Sequence, residues 1–99
     1  MKLSKKNPTG TSYHDVNIVT TVAALKKAIG EPQIDNNGMR EKSNFDWICE
    51  TEDGTVFTVY DWKEYRRLSE TETVRFHIGA NSKYDSEKAL VELTAALAR

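Results

Sequence analysis

Cysteine occurs once in this 99-residue chain, at Cys49. A lone cysteine excludes an intramolecular disulfide and leaves no cysteine pair to hold a metal. Set in a run of strand-forming residues, it reads as a small core residue. An excess of one charge is missing too. Fourteen Lys and Arg against fifteen Asp and Glu leave a net charge of -1, which argues against a general nucleic-acid binder and against an acidic mimic of DNA. Long apolar runs are absent, and Met1 to Pro8 is basic with nothing apolar behind it. Neither a signal peptide nor a membrane anchor is read there, so a cytoplasmic protein with no membrane and no DNA partner is expected. There is no Walker sequence, no dinucleotide-type glycine spacing, no internal repeat and no low-complexity tract. No nucleophile stands in a recognisable relation to a histidine.

What is present reads as one small α+β domain in the order β-α-β-β-β-α, with a mostly antiparallel sheet and two helices. Residues 1–12, polar and containing Pro8 and Gly10, are expected to be a flexible tail, and residues 13–99 the domain. Val16, Ile18 and Val19 mark a first strand from Tyr13 to Thr20, with Val16 and Ile18 on one side and Tyr13 and Asn17 on the other. Thr20 or Thr21 can cap a helix carrying Val22, Leu25, Ala28 and Ile29, which Gly30 and Pro32 end. Residues 33–42 read as a loop.

The strongest local signal is the pair of strand-like runs around Asp53-Gly54, read as a two-residue type I′ hairpin. In that register Trp47 faces Tyr60 and Asp46 faces Asp61. Two facing carboxylates disfavour pairing unless the hairpin end frays or a cation intervenes. A polar connector, Lys63 to Glu72, then leads to a last strand in which Val74, Phe76 and Ile78 alternate with Arg75 and His77, ending at Gly79. Ser82 caps a final helix whose stripe is Ala89, Leu90, Leu93, Ala96 and Leu97.

Two segments could carry chemistry. The strand-to-helix turn bearing His77, Gly79, Asn81, Ser82 and Lys83 can hold phosphate, because unpaired amides and the helix dipole favour an anion and glycine admits it closely. Such turns also serve as plain connectors. The second segment, Tyr60, Trp62, Lys63, Tyr65, Arg66 and Arg67, is the one dense aromatic and basic cluster. A base can stack on its rings, at on the order of 1 to 3 kcal/mol per base, while a guanidinium reaches phosphate. Alternatively the rings belong to the core and the arginines pair with Glu64, Glu70 and Glu72. A hydrolase built on Asp46, Asp61 and His77 would need a divalent ion for which ligands are lacking.

The run Glu52-Asp53-Gly54-Thr55-Val56-Phe57-Thr58-Val59-Tyr60-Asp61-Trp62-Lys63, followed by Phe76-His77-Ile78-Gly79 and Asn81, resembles a set of small phage-encoded proteins sharing this hairpin and a later His-Ile-Gly turn. The likeness covers about the last half of the chain. Small phage proteins of this make-up include inhibitors of bacterial immunity, among them sponges that capture cyclic-nucleotide signals without cleaving them. The resemblance therefore implies a counter-defence protein in the cytoplasm of an infected bacterium. The expectation is a non-enzymatic homo-oligomer that needs no cofactor or metal and sequesters a cyclic nucleotide or similar anion. The other expectation is an inhibitor that docks on a host defence protein.

Overall fold

Alternation decides the sheet. In Phe45–Glu50 every second side chain (Phe45, Trp47, Cys49) is buried, and Val56–Tyr60 repeats this with Phe57 and Val59, as a strand covered on one face requires. The computed structural model describes residues 1–99. In chain order its elements are β1 (Lys2–Leu3), β2 (Ser12–Thr20), α1 (Val22–Ala28), β3 (Ile34–Asp35), β4 (Phe45–Glu50), β5 (Val56–Tyr60), β6 (Val74–Ala80) and α2 (Lys83–Leu97). The strands form one sheet in the order β1-β4-β5-β6-β2, with β3 also on β4, and every pairing is antiparallel. The α+β architecture expected from the sequence is what the chain adopts.

Both helices cover one face. α2 crosses β2, β6 and β5 and packs on α1. Ala89 and Leu93 from α2 join Val22 and Leu25 from α1 and the inward residues Trp47, Phe57, Phe76 and Ile78 in one core. Each large apolar side chain buried there contributes roughly 1.5 to 3 kcal/mol. Thr21 caps α1 by accepting from the Ala24 amide, and Ser82 caps α2 by accepting from Asp85, each satisfying an amide the helix cannot. Burial pushes the Cys49 thiol up to about 12, which keeps it in its inert protonated form.

Three expectations are corrected. The hairpin turn is not a two-residue type I′. Thr51 N–H donates to Thr55 O at 2.9 Å and Gly54 N–H to Thr51 O at 3.0 Å, and of Asp53 and Gly54 only Gly54 has a positive φ, +86°. Glu52, Asp53 and Gly54 make a three-residue loop, a type I turn closed by a left-handed glycine. Asp53 holds it by accepting from the Thr51 and Thr55 hydroxyls and the Thr55 amide. Pairing slips by one residue: Trp47 faces Val59 and Asp46 faces Tyr60. Asp46 and Asp61 therefore project from opposite faces and are not cross-strand partners.

Residues 1–12 are not a free tail. Lys2 and Leu3 pair with Glu50 and Cys49, Ser4 is buried and its amide donates to Ile48 O at 2.8 Å. Strand pairing outweighs the polar composition because the outer edge of β4 offers unpaired backbone groups. The loop at 33–42 likewise contributes β3 to that edge, Ile34 facing Asp46. Between β1 and β3 the Gln33 side-chain amide stands in for a strand residue, accepting from Ile48 N–H at 2.9 Å and donating to Ile48 O at 2.8 Å.

Candidate functional site

The face of the sheet away from the helices carries the side chains that core burial does not claim. From β4 these are Asp46 and Ile48, from β5 Thr58 and Tyr60, from β6 Arg75 and His77, and from β2 Tyr13 and Asn17, aligned by the pairings Asp46 with Tyr60, Tyr60 with His77, and His77 with Asn17. β2 carries two extra residues between Tyr13 and Asn17 relative to β6, and Asp15 within that bulge has φ +62°. An even insertion leaves the parity of the strand intact, so Tyr13 and Asn17 stay on the same face. The Tyr13 hydroxyl donates to Asp15 and Asn17 carboxyl and amide oxygens, closing the bulge from outside.

Four rings meet on this face around His77. Its imidazole stacks on Tyr13 with centroids 3.9 Å apart and planes 13° apart, meets Tyr60 edge-on at 5.4 Å, and lies 6.2 Å from Trp62 at 28°. Tyr60 and Trp62 are edge to face at 6.0 Å. Burial and the Arg75 charge hold the His77 pKa below its ordinary value against the opposing pull of Asp15, which favours the neutral ring. Trp62 is 41 % exposed, and the Lys63 ammonium sits over it, 5.6 Å from the centroid, a cation–π contact. Lys63 and Tyr65 have φ of +57° and +53°, a left-handed conformation that costs non-glycine residues energy. The Lys63 amide is anchored on Lys42 O, which fixes the chain beside Trp62.

Beside the rings the face dips into a hollow of about 500 Å³. Its floor is Gly79 and Thr58, its walls are Ile34, Ile48, Tyr60 and Trp62, and the segment from Pro8 to Ser12 forms one rim. Gly79 makes the hollow possible: a Cβ there would lie 2.7 Å from Thr58 Oγ1 and 3.5 Å from the Tyr60 ring. Ser43 and Asp46 lie at the opposite side, with the Ser43 hydroxyl donating to Asp46 Oδ2 at 3.2 Å.

The residues singled out in the sequence divide into three groups. Tyr60, Trp62, Lys63, His77 and Gly79 come together on the open face. Asn81, Ser82 and Lys83 lie where β6 passes into α2, whereas Tyr65, Arg66 and Arg67 belong to the connector that enters β6 at Val74. The length of β6, roughly 20 Å for six residue steps, separates them, so the anion site joining the helix start to the arginines does not form. Arg66 is committed to Glu72 and Glu64, and Arg67 lies over Gly38 and lines a separate depression with Lys26 and Asp35. Gly79 is not in the turn but within β6, facing Tyr13 and Thr58. At the helix start the Asp85 amide is already taken by Ser82, and the Asp85 carboxylate in the first turn opposes an anion.

Tyr13, Ile48, Thr58 and Asp46 acting without Asp61 belong to the face and were missed; a three-residue turn would have brought the last three onto one side with Tyr60. No group of three or more His, Cys, Asp and Glu side chains gathers as a metal site needs. No helix is long and apolar enough to cross a membrane. Comparison of the chain with protein-family models, curated proteins and solved structures finds no match.

Proposed function

We propose that this protein is a non-catalytic binder that sequesters a cyclic-nucleotide-type signal on the open face of its sheet. The observation carrying this reading is the ring cluster of Tyr13, His77, Tyr60 and Trp62 beside a hollow of a size that suits a small ligand. Flat, partly exposed rings accept a base whatever its identity, each stacked base contributing on the order of 1 to 3 kcal/mol. Lys63 and Arg75, both exposed on or beside this face, supply the positive charge that phosphates require. The likeness of the hairpin and the His-Ile-Gly segment to small phage proteins gives the reading its biological setting, capture of a host immune signal.

Calorimetry or thermal shift against a panel of cyclic mono-, di- and trinucleotides tests it. Binding raises the melting temperature by mass action. A panel in which no member stabilises the protein leaves the proposal without support.

A second reading follows from the free edge of β2. That strand pairs only with β6, its outer end Val16-Asn17-Ile18-Val19-Thr20 has no charge, and Val19 is 60 % exposed. Such an edge can accept a strand from another protein. Under this reading the molecule blocks a host protein, and pulldown from bacterial lysate would retain one stoichiometric partner with no small molecule.

A further inference from the structure

Among the side chains lining the open-face hollow, only Asp46 carries a charge, and that charge is negative. The cations lie outside it, Lys63 over Trp62 and Arg75 beyond His77 on β6. Phosphate oxygens are therefore repelled from the hollow and drawn to its rim, and what enters must be the other end of a nucleotide. The hollow's walls favour the same orientation, since Tyr60 and Trp62 offer ring surface and Ile34 and Ile48 apolar surface, as a base requires.

Asp46 is held at a fixed place. β4 sets it between Ile34 of β3 and Tyr60 of β5, and the Ser43 hydroxyl occupies one direction on Oδ2. A carboxylate accepts in about four directions and donates in none, so acceptor capacity remains toward the hollow. The hydrogen-bonding edges of the bases differ in what they offer an acceptor. Adenine and cytosine place a ring-nitrogen acceptor beside their amino group, and uracil flanks its single N–H with two carbonyls. Guanine alone presents two adjacent donors, N1–H and the N2 amino group, with no acceptor between them. A carboxylate matches that edge with two parallel charge-assisted hydrogen bonds and leaves every other base with a lone pair facing its own.

We infer that the hollow is a guanine pocket in which the Asp46 carboxylate receives N1–H and the N2 amino group while Trp62 and Tyr60 contact the ring. The inference rests on the nucleotide reading proposed above and names the base which that site selects. Asp46 is its specificity-determining residue, and Lys63 and Arg75 contact the phosphates without regard to sequence.

Isothermal titration of the full chain with the 3′,5′-cyclic monophosphates of guanosine, inosine, adenosine, cytidine and uridine, together with cyclic di-GMP and cyclic di-AMP, tests it. The guanine ligands are expected to bind tighter than their adenine counterparts by roughly tenfold or more, the worth of one bidentate pair. Inosine, which lacks the amino group, falls between them. Asp46→Asn, which replaces one acceptor with a donor, should remove the difference between guanine and adenine. Trp62→Ala should weaken all ligands by a similar factor and leave the ranking in place. Equal affinity for guanine and adenine in the unaltered protein, or a preference that survives in Asp46→Asn, overturns the guanine pocket while leaving the nucleotide reading intact. Failure of the whole panel to bind removes both.

Discussion

The imidazole of His77 lies flat on the ring of Tyr13, centroids 3.9 Å apart, although the two residues stand on neighbouring strands and are not direct partners in the register. Burial together with Arg75 depresses the His77 pKa, opposed by Asp15. The unfolded chain therefore takes up a proton before the folded one as pH falls. Stability should be level above about pH 6.5, the ordinary value for histidine, and should fall below it. Thermal melts from pH 7.5 to 5.5 on the unaltered protein and on His77→Gln check this. The variant's melting temperature should change less across that range.

Asp46 titrates with the opposite sign. Burial, opposed by the Ser43 hydroxyl and aided by the Asp61 charge, raises its carboxyl above the ordinary value. The ionised form is therefore disfavoured in the fold, and stability rises as pH falls through the raised pKa. Asp46→Asn is expected to melt at or above the temperature of the unaltered protein at pH 7, in contrast with its loss of base preference. A residue that weakens the fold and sharpens a binding site fits the trade-off between stability and function.

Asp61 behaves as a structural group. Fully buried, it accepts from the Asn44 amide, the Asn44 side chain and the Phe45 amide at 2.9 to 3.1 Å. Asp61→Ala strands these donors and should cost about 3 kcal/mol in urea unfolding. Asp61→Asn, keeping one acceptor, should cost less.

Gly79 holds the hollow open. Gly79→Ala puts a methyl carbon 2.7 Å from Thr58 Oγ1, and overpacking of this kind costs roughly 1 to 3 kcal/mol. Combining it with Thr58→Ala, which removes the clashing oxygen, should recover part of that loss. Additive losses in the double mutant would mean that the strain arises elsewhere.

Elements specified by nearby residues were legible in the sequence. Ser82 caps α2, Leu93 marks its buried stripe, and Val74, Phe76 and Ile78 alternate as β6 does. The hairpin was legible as a hairpin but not in its register, because Asp-Gly serves two turn types and the choice fell to Thr51 and Thr55, whose hydroxyls engage Asp53. That single-residue slip carried Asp46 from the face of Asp61 to the face of Tyr60. β1 and β3, two residues each, carry no periodicity to read. The site was half legible. Tyr60, Trp62 and Lys63 adjoin one another as a cluster readable in the sequence, and His77, read there as part of the strand-to-helix turn, joins them through the pairing of β5 with β6, whereas Arg66 and the start of α2 were joined only by sequence proximity to β6, which in fact holds them apart. Tyr13 enters the site through a pairing of β2 with β6 about sixty residues away in the chain, a distance at which local pattern is silent.

The central claim, that the open face stacks a base, has a direct readout in the two tryptophans. Trp47 is fully buried with its Nε1–H on Gly30 O at 2.8 Å, whereas Trp62 is 41 % exposed at the hollow. Their indole N–H resonances can be followed by NMR during titration with cyclic di-GMP. The Trp62 resonance should move in a saturable way, along with those of His77 and Tyr13, while the Trp47 resonance stays in place. Saturable binding that leaves Trp62 unmoved, or no change in any resonance across the nucleotide panel, would contradict it.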